Sequence, residues 1–467
     1  MNIDITFNNI IIMANKKQEE QDNSSEEKIT KKQRERRIPR LRGMRDILFE
    51  EYKYWELALR KADDLAKTFG FSKMDTPILE RADLYQKSTG TDTDIVSKEM
   101  YEFTDKNGEK VALRPEATPG LVRSYIEHGM FNLPQPVKMF WLGPIFRHEK
   151  PQSGRYRQSH QLDLEIMGDD NPAADFLMLM MAYDFFSELQ VGVQIQINSI
   201  GCGECQQNYI EELKKYFRKK RSQLCSDCKK RLNKNPLRLL DCKEEKCQEL
   251  AQDAPPIVDY LCETCQNNFT KILEYLDELD IPYNLNPQLV RGLDYYTGPV
   301  FEFWAIDDNG EIVENAPALG AGGRYDNLIE NMGGKPTPAC GMGIGMERTI
   351  NRIKQNDIPV NEEEEDVVFL AQLGDHARRK MLSLFEEFRK SGFKVRQSFS
   401  KDSLKNQLEE ADQVGAKFSL ILGQKEVNDN TILLRDMESG NQEVVDYKKV
   451  RNELEKRLYN NNHNNNK

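Results

Sequence analysis

The order in which helix and strand patterns follow one another changes along this chain, and it limits the folds that each part can adopt. In residues 36–350 the patterns occur in blocks, with a long amphipathic helical pattern that stops at a glycine and, far downstream, β-rich runs. Blocks of this kind predict an α+β domain with an antiparallel sheet, because a doubly wound sheet requires regular alternation of strand and helix. In residues 366–459 the patterns do alternate, after the charged linker NEEEED, and they predict a small α/β domain with a mixed or parallel sheet. The segments with these patterns are LFEEYKYWELALRKADDLAKTFGF, VKMFWLGPIFRHE and VFEFWAI in the first region, and DVVFLAQL, MLSLFEEFRKSG, FKVRQSF, LKNQLEEADQVG and KFSLILG in the second.

The two ends of the chain, residues 1–35 and 460–467, are polar and poor in aromatic residues, and we predict that both are disordered. No stretch approaches the roughly 20 apolar residues that a membrane helix needs. The first residues also lack the basic lead and the small-residue cleavage site of a secretory signal. These features predict a cytoplasmic protein with no membrane partner. The net charge of −11 does not exclude RNA as a partner, because residues 28–45 are rich in lysine and arginine, although a solvated basic arm is the alternative.

Eight of the nine cysteines lie within residues 201–280, a mostly helical segment that interrupts the first region. A secreted disulfide framework is not expected to be confined to one insertion of a large chain without a signal peptide. The C-x2-C spacing instead favours tetrahedral Zn²⁺, with unmetallated thiols as the alternative. The predicted zinc ligands are Cys202, Cys205, Cys225 and Cys228, and a second set comprises Cys242, Cys247, Cys262 and Cys265.

A charged strand–loop–strand pattern occupies residues 146–165, FRHEKPQSGRYRQSHQLDLE. It places Arg147 on the first strand and Lys150, Arg155 and Arg157 on the loop. Arginine suits a polyphosphate because its planar guanidinium donates hydrogen bonds in pairs and stays charged. The pattern therefore favours a phosphate-binding hairpin, with a charged surface hairpin as the alternative.

Glycines at alternate positions mark residues 341–350, GMGIGMERTI, and run into Glu347 and Arg348 at a predicted helix start. Their spacing is wrong for the dinucleotide-binding fingerprint. Alternate glycines leave one face of a strand open, so a flat base could lie on it while Arg348 contacts the phosphates. Close packing of the strand against its neighbours is the alternative.

Three further stretches concentrate charged and aromatic residues: LRPEATPGLVRSYI from Leu113, LVRGLDYYTGPVFEF from Leu289 and GAGGRYDNL from Gly320. Taken with DTPILE from Asp75, the hairpin and the glycine strand, they resemble one family closely. DTPILE, residues 146–165 and residues 341–350 are similar to the three signatures of class II aminoacyl-tRNA synthetases. LVRGLDYYT and AGGRYD resemble the two signatures of histidyl-tRNA synthetases of the bacterial type.

This resemblance covers roughly residues 36–459. It implies a class II antiparallel-sheet catalytic domain at residues 36–350, with a helical insertion at 201–280, and a small α/β anticodon-binding domain at 366–459. DTPILE would then build the dimer interface.

The resemblance also implies the ATP site and the groups that stabilise charge on the α-phosphate. Arg147, Arg291 and Arg348 would be the catalytic residues, and Mg²⁺ would arrive with ATP. No catalytic base is required for activation, because the histidine carboxylate is itself the nucleophile. The implied ATP-binding residues are Arg147, Glu149, Arg155, Tyr156, Arg157 and Arg348.

The implied histidine site needs an anion for the α-amino group and both an acceptor and a donor for the imidazole. Bonding both ring nitrogens rejects apolar competitors, so no editing domain is needed. Ala117 occupies a place where the family has glycine, and alanine disfavours positive φ. The implied contacts are Glu116, Thr118 and Gln161 for the amino group, and Glu165 and Tyr296 for the imidazole, with Ala117, Arg147, Arg291 and Tyr295 beside them.

The resemblance thus predicts a histidine–tRNA ligase that acts as a homodimer on ATP, L-histidine and tRNA(His). One alternative is a non-catalytic paralogue that regulates ATP phosphoribosyltransferase, or one that senses uncharged tRNA. The regulatory type lacks the C-terminal domain and loses the histidine-specific signatures, both of which this sequence retains. A second alternative, another class II synthetase, would not carry LVRGLDYYT.

Overall fold

The computed structural model describes residues 38–90, 93–150, 154–314, 316–360 and 367–461. The described residues form two compact units, which are divided between Ile358 and Pro359. The disorder predicted for residues 1–35 and 462–467 falls outside the described residues. The prediction is wrong for residues 460 and 461, which continue a helix that ends at Asn461. No helix in the described ranges is long and apolar enough to cross a membrane.

The first unit contains α-helices of 4 to 20 residues and a large sheet, and the described part of residues 201–280 is largely helical. A π-helix at Ile95–Glu99 and a 3-10 helix at Pro236–Leu239 also border the site described below. Its α-helices are α1 Phe49–Thr68, α2 Ala82–Thr89, α3 Thr118–Glu127, α4 Pro172–Glu188, α5 Gly203–Lys219, α6 Ser226–Lys234, α7 Glu245–Gln252, α8 Glu263–Glu278, α9 Leu328–Asn331 and α10 Met346–Gln355.

The strands of this unit form an eight-stranded sheet and a three-stranded sheet in the described ranges. The large sheet has the order β1-β5-β6-β11-β10-β9-β7-β8, and the small sheet the order β2-β4-β3. The large sheet is antiparallel except at its two edges, where β1 pairs with β5 and β8 with β7 in parallel. The strands are β1 Ser72–Lys73, β2 Leu79–Arg81, β3 Glu102–Thr104, β4 Lys110–Leu113, β5 Val137–Phe146, β6 Gln158–Met167, β7 Val193–Ser199, β8 Tyr283–Leu285, β9 Thr297–Ala305, β10 Gly320–Arg324 and β11 Ala339–Gly345.

Helix α1 forms where the periodic pattern predicts it, with a buried apolar stripe that includes Trp55, Ala58 and Ala62. Glutamates in its first turn and Lys67 in its last turn match the helix dipole. The chain leaves the helix through Gly70, whose φ of +75° suits glycine. The predicted helix and its stop are therefore confirmed.

The large sheet has one apolar face and one face that carries polar groups. On β6 the apolar residues Leu162, Leu164 and Ile166 pack in a core with Trp55 of α1 and Ile350 of α10. Side chains alternate along a strand, so the residues between them point to the opposite face. The antiparallel sheet predicted for this region is confirmed, and its polar face holds the site.

The second unit has a five-stranded mixed sheet in the order β13-β12-β14-β15-β16. Strands β13, β12 and β14 are parallel, and β15 and β16 continue the sheet antiparallel. Strand β12 is buried on both faces, which explains its continuous apolar sequence. The predicted small α/β fold is confirmed. The elements are β12 Val367–Gln372, α11 Asp375–Lys390, β13 Lys394–Gln397, α12 Leu404–Gln413, β14 Ala416–Leu422, α13 Gln424–Asp429, β15 Thr431–Asp436, β16 Gln442–Asp446 and α14 Val450–Asn461.

Candidate active site

A cavity of about 420 Å³ lies on the polar face of the large sheet in the first unit. Its floor is formed by β6, β10 and β11, and its walls include residues that follow β5 and residues that precede β9. The predicted residues that line it are Glu116, Thr118, Arg147, Glu149, Arg155, Tyr156, Gln161, Arg291, Tyr296 and Arg348. Four other predicted residues are not among the described residues that line it: Ala117, Arg157, Glu165 and Tyr295.

Strand β6 supplies three polar side chains to this face at alternate positions: Gln161, Asp163 and Glu165. The partner strand β11 places Gly341 opposite Glu165 and Gly343 opposite Asp163. A Cβ at Gly343 would lie 2.7 Å from Asp163 Oδ1, and a Cβ at Gly341 would overlap the Glu165 carboxylate. The alternate glycines therefore make room for the polar groups of β6. At Gly341 and Gly343 the reason for glycine is close packing between the two strands, as the alternative interpretation of the sequence predicted.

One end of the cavity is acidic, and its carboxylates accept hydrogen bonds from side-chain hydroxyls. Thr118 Oγ1 donates to Glu165 Oε1 at 2.6 Å, and the Tyr325 hydroxyl donates to the other oxygen of Glu165. The Tyr295 hydroxyl donates to Glu116, which precedes α3. Burial raises the pKa of Glu165 to about 8 and raises the pKa of Glu116. Buried carboxyl groups held in place by hydroxyls form a rigid receptor for a donor-rich ligand.

Ala117 does not strain the start of α3. Its φ of −89° and ψ of −39° are helical, so the glycine of the family pattern is not needed for backbone freedom here. Pro119 lies in the first turn of α3, where the backbone N–H has no partner within the helix, so proline costs no helical hydrogen bond.

Arg291 and Tyr296 lie between the two ends of the cavity on the irregular segment before β9. Arg291 pairs with Glu302 of β9, and its guanidinium carbon lies 5.7 Å from the centre of the Tyr296 ring. Burial lowers the pKa of Arg291, but Glu302, Tyr296 and Tyr295 together outweigh this effect, so the pKa is raised overall. Arg291 therefore carries a positive charge into the middle of the cavity.

The other end of the cavity is rich in arginine. Arg147 follows β5 directly, one residue beyond the strand on which the sequence pattern places it, and its Nε donates to the Pro115 carbonyl at 2.7 Å. Arg348 lies at the start of α10 and donates to the Ala318 carbonyl at 2.6 Å. Burial and the nearby charge of Arg155 lower the pKa of Arg348 to about 10. A buried guanidinium near other cations is stabilised by an anion, so this end favours a polyanionic ligand.

Gly154, Arg155 and Tyr156, in the loop that precedes β6, line the arginine end. Arg155 pairs with Glu149 at 3.4 Å, and the Arg157 Nε donates to the Glu149 carbonyl at 3.4 Å. The Arg45 guanidinium lies 5.2 Å from the centre of the Tyr156 ring. Residues of the basic N-terminal stretch thus hold this loop in place.

Several buried polar atoms of the cavity have no hydrogen-bond partner among the described residues. Two come from β6, Gln161 Oε1 and Asp163 Oδ2, and two are guanidinium Nε atoms, of Arg155 and Arg291. A buried polar atom without a partner costs free energy. Their convergence on one cavity is the pattern expected of a site that a ligand completes.

Sequence reasoning missed three residues of the site. Tyr325 lines the cavity and bonds Glu165, although the AGGRYD motif contains it. Asp163 lies between two predicted residues on the same face of β6, and strand alternation alone could have identified it. Glu302 was hidden in the β-run VFEFWAI and becomes visible only through its pairing with Arg291. His160, which sequence analysis left without a catalytic role, bonds Glu347 at 2.9 Å.

The predicted pairing of the cysteines is wrong. Cys202 and Cys205 lie with Cys262 and Cys265, whereas Cys225 and Cys228 lie with Cys242 and Cys247. The reason is the 17-residue helix α5, which separates the first two pairs by about 25 Å along its axis. Pairs at opposite ends of this helix do not share one ion.

Comparison with known proteins decides the family. The family model described as histidyl-tRNA synthetase matches residues 43–349, and the model described as anticodon binding domain matches residues 358–457. The chain belongs to the histidyl-tRNA synthetase family. It is 41% identical to a histidine–tRNA ligase of Natranaerobius thermophilus over 409 residues, which cover 87% of this chain and 96% of that protein. A relative from Clostridium botulinum, also named histidine–tRNA ligase, is 42% identical over 410 residues, 88% of this chain and 97% of its own length.

A solved structure is also similar to this chain. The crystal structure of apo histidyl-tRNA synthetase from S. aureus superposes with a TM-score of 0.75 at 33% identity, covering 89% of this chain and 98% of that one. A structure from Bacillus halodurans described as an ATP phosphoribosyltransferase regulatory subunit/histidyl-tRNA synthetase has a TM-score of 0.58 at 19% identity, over 83% of this chain and 98% of that one. The latter shows the fold alone. The site described above therefore belongs to a histidyl-tRNA synthetase family member with both the catalytic and the anticodon-binding regions.

Proposed function

We propose that this chain is a histidine–tRNA ligase, which activates L-histidine with ATP and transfers it to tRNA(His). The observation that carries the proposal is a single cavity with an acidic, hydroxyl-bonded end and an arginine-rich end, joined by Arg291. A zwitterionic amino acid fits the first end and a triphosphate fits the second. The membership in the family and the curated names of relatives support the same reaction.

The chemistry of activation requires positioning and charge stabilisation. A carboxylate oxygen of histidine attacks the α-phosphorus of ATP, a new O–P bond forms, and the bond to pyrophosphate breaks. Negative charge grows on the α-phosphate oxygens and on the leaving group. In this proposal Arg147 and Arg291 stabilise the α-phosphate and Arg348 holds the outer phosphates, with ATP entering as its magnesium complex.

Recognition of histidine follows from the acidic end. In this proposal Glu116, Thr118 and Gln161 offer acceptors to the α-ammonium group, and Glu165 and Tyr296 recognise the imidazole. Tyr325 adds a hydroxyl that fixes the Glu165 carboxylate. An apolar competitor would leave these buried groups without partners, and a site that hydrogen-bonds its substrate in this way discriminates by roughly 10⁴-fold or more.

Other parts of the proposal concern partners and location. The second unit is similar to an anticodon-binding domain, and we propose that it contacts tRNA(His). We also propose that the basic residues within 28–45 contact the RNA. The reaction takes place in the cytoplasm, where aminoacylation supplies translation. The cysteine-rich segment binds Zn²⁺ as a resident metal outside the reacting groups.

The proposed homodimer uses the DTPILE segment. Three exposed apolar residues lie at the small sheet: Ile78 just before β2, Leu79 on β2 and Phe103 on β3. This segment is tied to the histidine end of the cavity, because Arg123 of α3 bonds Glu80. An exposed apolar cluster next to the substrate site is suited to burial against a second copy.

Sedimentation velocity tests the dimer. We expect the wild-type protein to be a dimer and the variant Ile78→Asp/Leu79→Asp to be a monomer, since two charges in an apolar interface cannot be solvated. Val444→Asp on β16, an exposed apolar residue of the second unit, is the matched control and should leave the dimer intact. A monomeric wild-type protein would contradict the assignment.

Histidine-dependent ATP–pyrophosphate exchange tests the function itself. We expect exchange with histidine and none with the other protein amino acids. Absence of exchange would favour the regulatory paralogue, and exchange with a different amino acid would identify a sister synthetase.

A further inference from the structure

The eight cysteines of residues 202–265 form two separate four-sulfur groups. The first contains Cys202, Cys205, Cys262 and Cys265, and the second contains Cys225, Cys228, Cys242 and Cys247. Within each group all sulfur atoms lie within 4.8 Å of one another, and all eight are free thiols. We call them the first and the second cysteine group.

We propose that each cysteine group binds one Zn²⁺ through four thiolates, and that the two ions together hold the segment 291–298, which carries Arg291 and Tyr296. Each cysteine loses its proton to solvent as the ion binds, so four S–H bonds are replaced by four Zn–S bonds. Both ions are structural, because four protein ligands leave no open position for a substrate.

The distances fit a single ion in each group. Tetrahedral coordination with Zn–S bonds of about 2.3 Å places the sulfurs about 3.8 Å apart. Cys202 Sγ and Cys205 Sγ are 3.5 Å apart, and Cys225 Sγ and Cys242 Sγ are 3.9 Å apart. This spread is too small to enclose a cluster of several iron atoms, and the all-sulfur tetrahedral donor set otherwise suits zinc.

Backbone geometry prepares the sulfurs for a cation. Cys202, Cys225 and Cys262 each precede a helix as its N-cap, and the second cysteine of each pair lies in the first turn of that helix. Helix N-termini stabilise thiolates. Backbone N–H groups also donate to sulfur, from Cys228 to Cys225 Sγ at 3.3 Å and from Cys262 to Cys205 Sγ at 3.1 Å. These hydrogen bonds orient the sulfur atoms before a metal ion binds.

The first cysteine group adjoins the end of segment 291–298. Gly201, next to Cys202, accepts a backbone hydrogen bond from Gly298 at 2.8 Å. Gln206, in the helix that starts at this group, donates to the Tyr296 carbonyl at 3.2 Å. An ion that fixes the start of α5 to the start of α8 therefore fixes the backbone of Tyr296.

The second cysteine group adjoins the beginning of the same segment. The chain between Cys228 and Cys242 includes the 3-10 helix Pro236–Leu239, from which Arg238 donates to the Gly292 carbonyl at 2.6 Å. Asn235 donates to Asp294 at 2.7 Å. An ion that closes this loop therefore fixes the backbone on the C-terminal side of Arg291.

Segment 291–298 needs such support because residues 286–296 belong to no helix or strand. A backbone without its own ladder is held by side chains and neighbouring loops. Here Arg238 and Gln206, both on chain segments closed by the cysteine groups, supply that support from two directions. The zinc ions thus act on catalysis through position, without contacting the substrates.

Metal counting on the full-length protein tests the sites and their pairing. We expect two zinc ions per chain in protein purified without chelator, and X-ray absorption with four sulfurs at about 2.3 Å. Cys205→Ser/Cys265→Ser, within one group, should retain one zinc. Cys205→Ser/Cys228→Ser, across the groups, should retain none. The control Cys340→Ala, outside both groups, should retain two.

The opposite results would overturn the proposal. One zinc ion in the wild-type protein, none, bound iron, or disulfides detected by mass spectrometry would each contradict two zinc centres. One zinc ion retained by the cross-group variant, with none retained by the within-group variant, would contradict the pairing. None of these measurements depends on the proposed enzymatic activity.

Hydrogen exchange tests the support of segment 291–298. In each within-group variant, Cys205→Ser/Cys265→Ser and Cys228→Ser/Cys247→Ser, we expect amides of this segment to exchange about 10-fold faster or more. The first variant should affect positions 296–298 most, and the second positions 292–294. Peptides of β12 in the second unit serve as the folding control. Loss of zinc with unchanged exchange of the segment would refute the supporting role and leave the proposed ligase activity unaffected.

Discussion

The two ends of the cavity are built differently. At the acidic end, carboxylates are held by side-chain hydroxyls, as in the contacts of Glu165 with Thr118 and Tyr325. At the arginine end, the described contacts of Arg147 and Arg348 are with backbone carbonyls, and the loop beside them carries further charge. At the first end, the geometry of the binding groups is fixed before a small ligand binds. The second end concentrates positive charge and gains stabilisation when an anion arrives. Specificity should therefore depend on the acidic end, and affinity for ATP on the arginine end.

Loss of Arg291, which joins the two ends, should have the largest effect. We expect Arg291→Ala to lower histidine-dependent ATP–pyrophosphate exchange by about 10³-fold, because a charge directed at the developing anion is removed. Glu302 would also lose its ion-pair partner, although Trp304 Nε1 still donates to it. Sedimentation should show the same oligomer as the wild type. Arg389→Ala, an exposed arginine of the second unit, is the control, and a near-normal rate for Arg291→Ala would refute its central role.

Loss of Arg348 should affect only one end. We expect Arg348→Ala to raise the KM for ATP by about 10²-fold, since charge-assisted bonds to phosphate are lost, and to leave the KM for histidine within a few-fold. Arg352→Ala is a matched control one turn further along α10, where the arginine bonds the Ile306 carbonyl. An equal rise in both KM values would show that the two ends are not independent.

Loss of the Tyr325 hydroxyl should have the reverse selectivity. We expect Tyr325→Phe to raise the KM for histidine by about 10-fold, because Glu165 loses one of its fixing hydrogen bonds, with little change in the KM for ATP. Tyr447→Phe, which removes a hydroxyl bonded to the Lys380 carbonyl in the second unit, is the control. A change confined to ATP would refute the assignment of Tyr325 to the histidine end.

The smallest effect should appear in the pH dependence of stability. Burial raises the pKa of Glu165 from 4.5 to about 8, so between these values the folded protein keeps a proton that the unfolded chain has released. Stability from this group therefore falls as pH rises through the window, by about 1.4 kcal/mol per pH unit. Glu165→Gln should reduce the loss of Tm between pH 5.5 and pH 8 by a few degrees in the ligand-free protein.

The neighbouring carboxyl groups of Glu116 and Asp163, whose pKa values burial also raises, remain in this variant, so the slope should decrease without vanishing. Glu330→Gln, an exposed carboxylate on α9, is the control. An unchanged slope in Glu165→Gln would show that Glu165 is ionised in the folded protein throughout this range.

Local patterns predicted much of the fold. The stripe of α1, the runs of β5 and β9, and the first five elements of the second unit all lie where periodicity and turn residues predict them. Strands β15 and β16 were not predicted, because short half-exposed strands carry a weak signal. The position of Arg147 was wrong by one residue, which is within the usual uncertainty of strand ends.

The sequence by itself determined the chemical groups and their local placement. Alternation along β6 already places Gln161 and Glu165 on one face, and helix patterns place Glu116 and Arg348 at helix starts. The specific motifs also implied the family. All of these features depend on residues a few positions apart, where strand and helix geometry fixes the outcome.

Only the tertiary structure decided which distant groups meet. Tyr325 reaches Glu165 across 160 positions because β10 and β6 both flank β11 in the sheet. Glu302 finds Arg291, and Cys262 joins Cys202, through the packing of elements that are far apart in the chain. Periodicity contains no information about the order of strands in a sheet or about which helix starts lie side by side. The two cavity ends and the two cysteine groups exist only once that order is set.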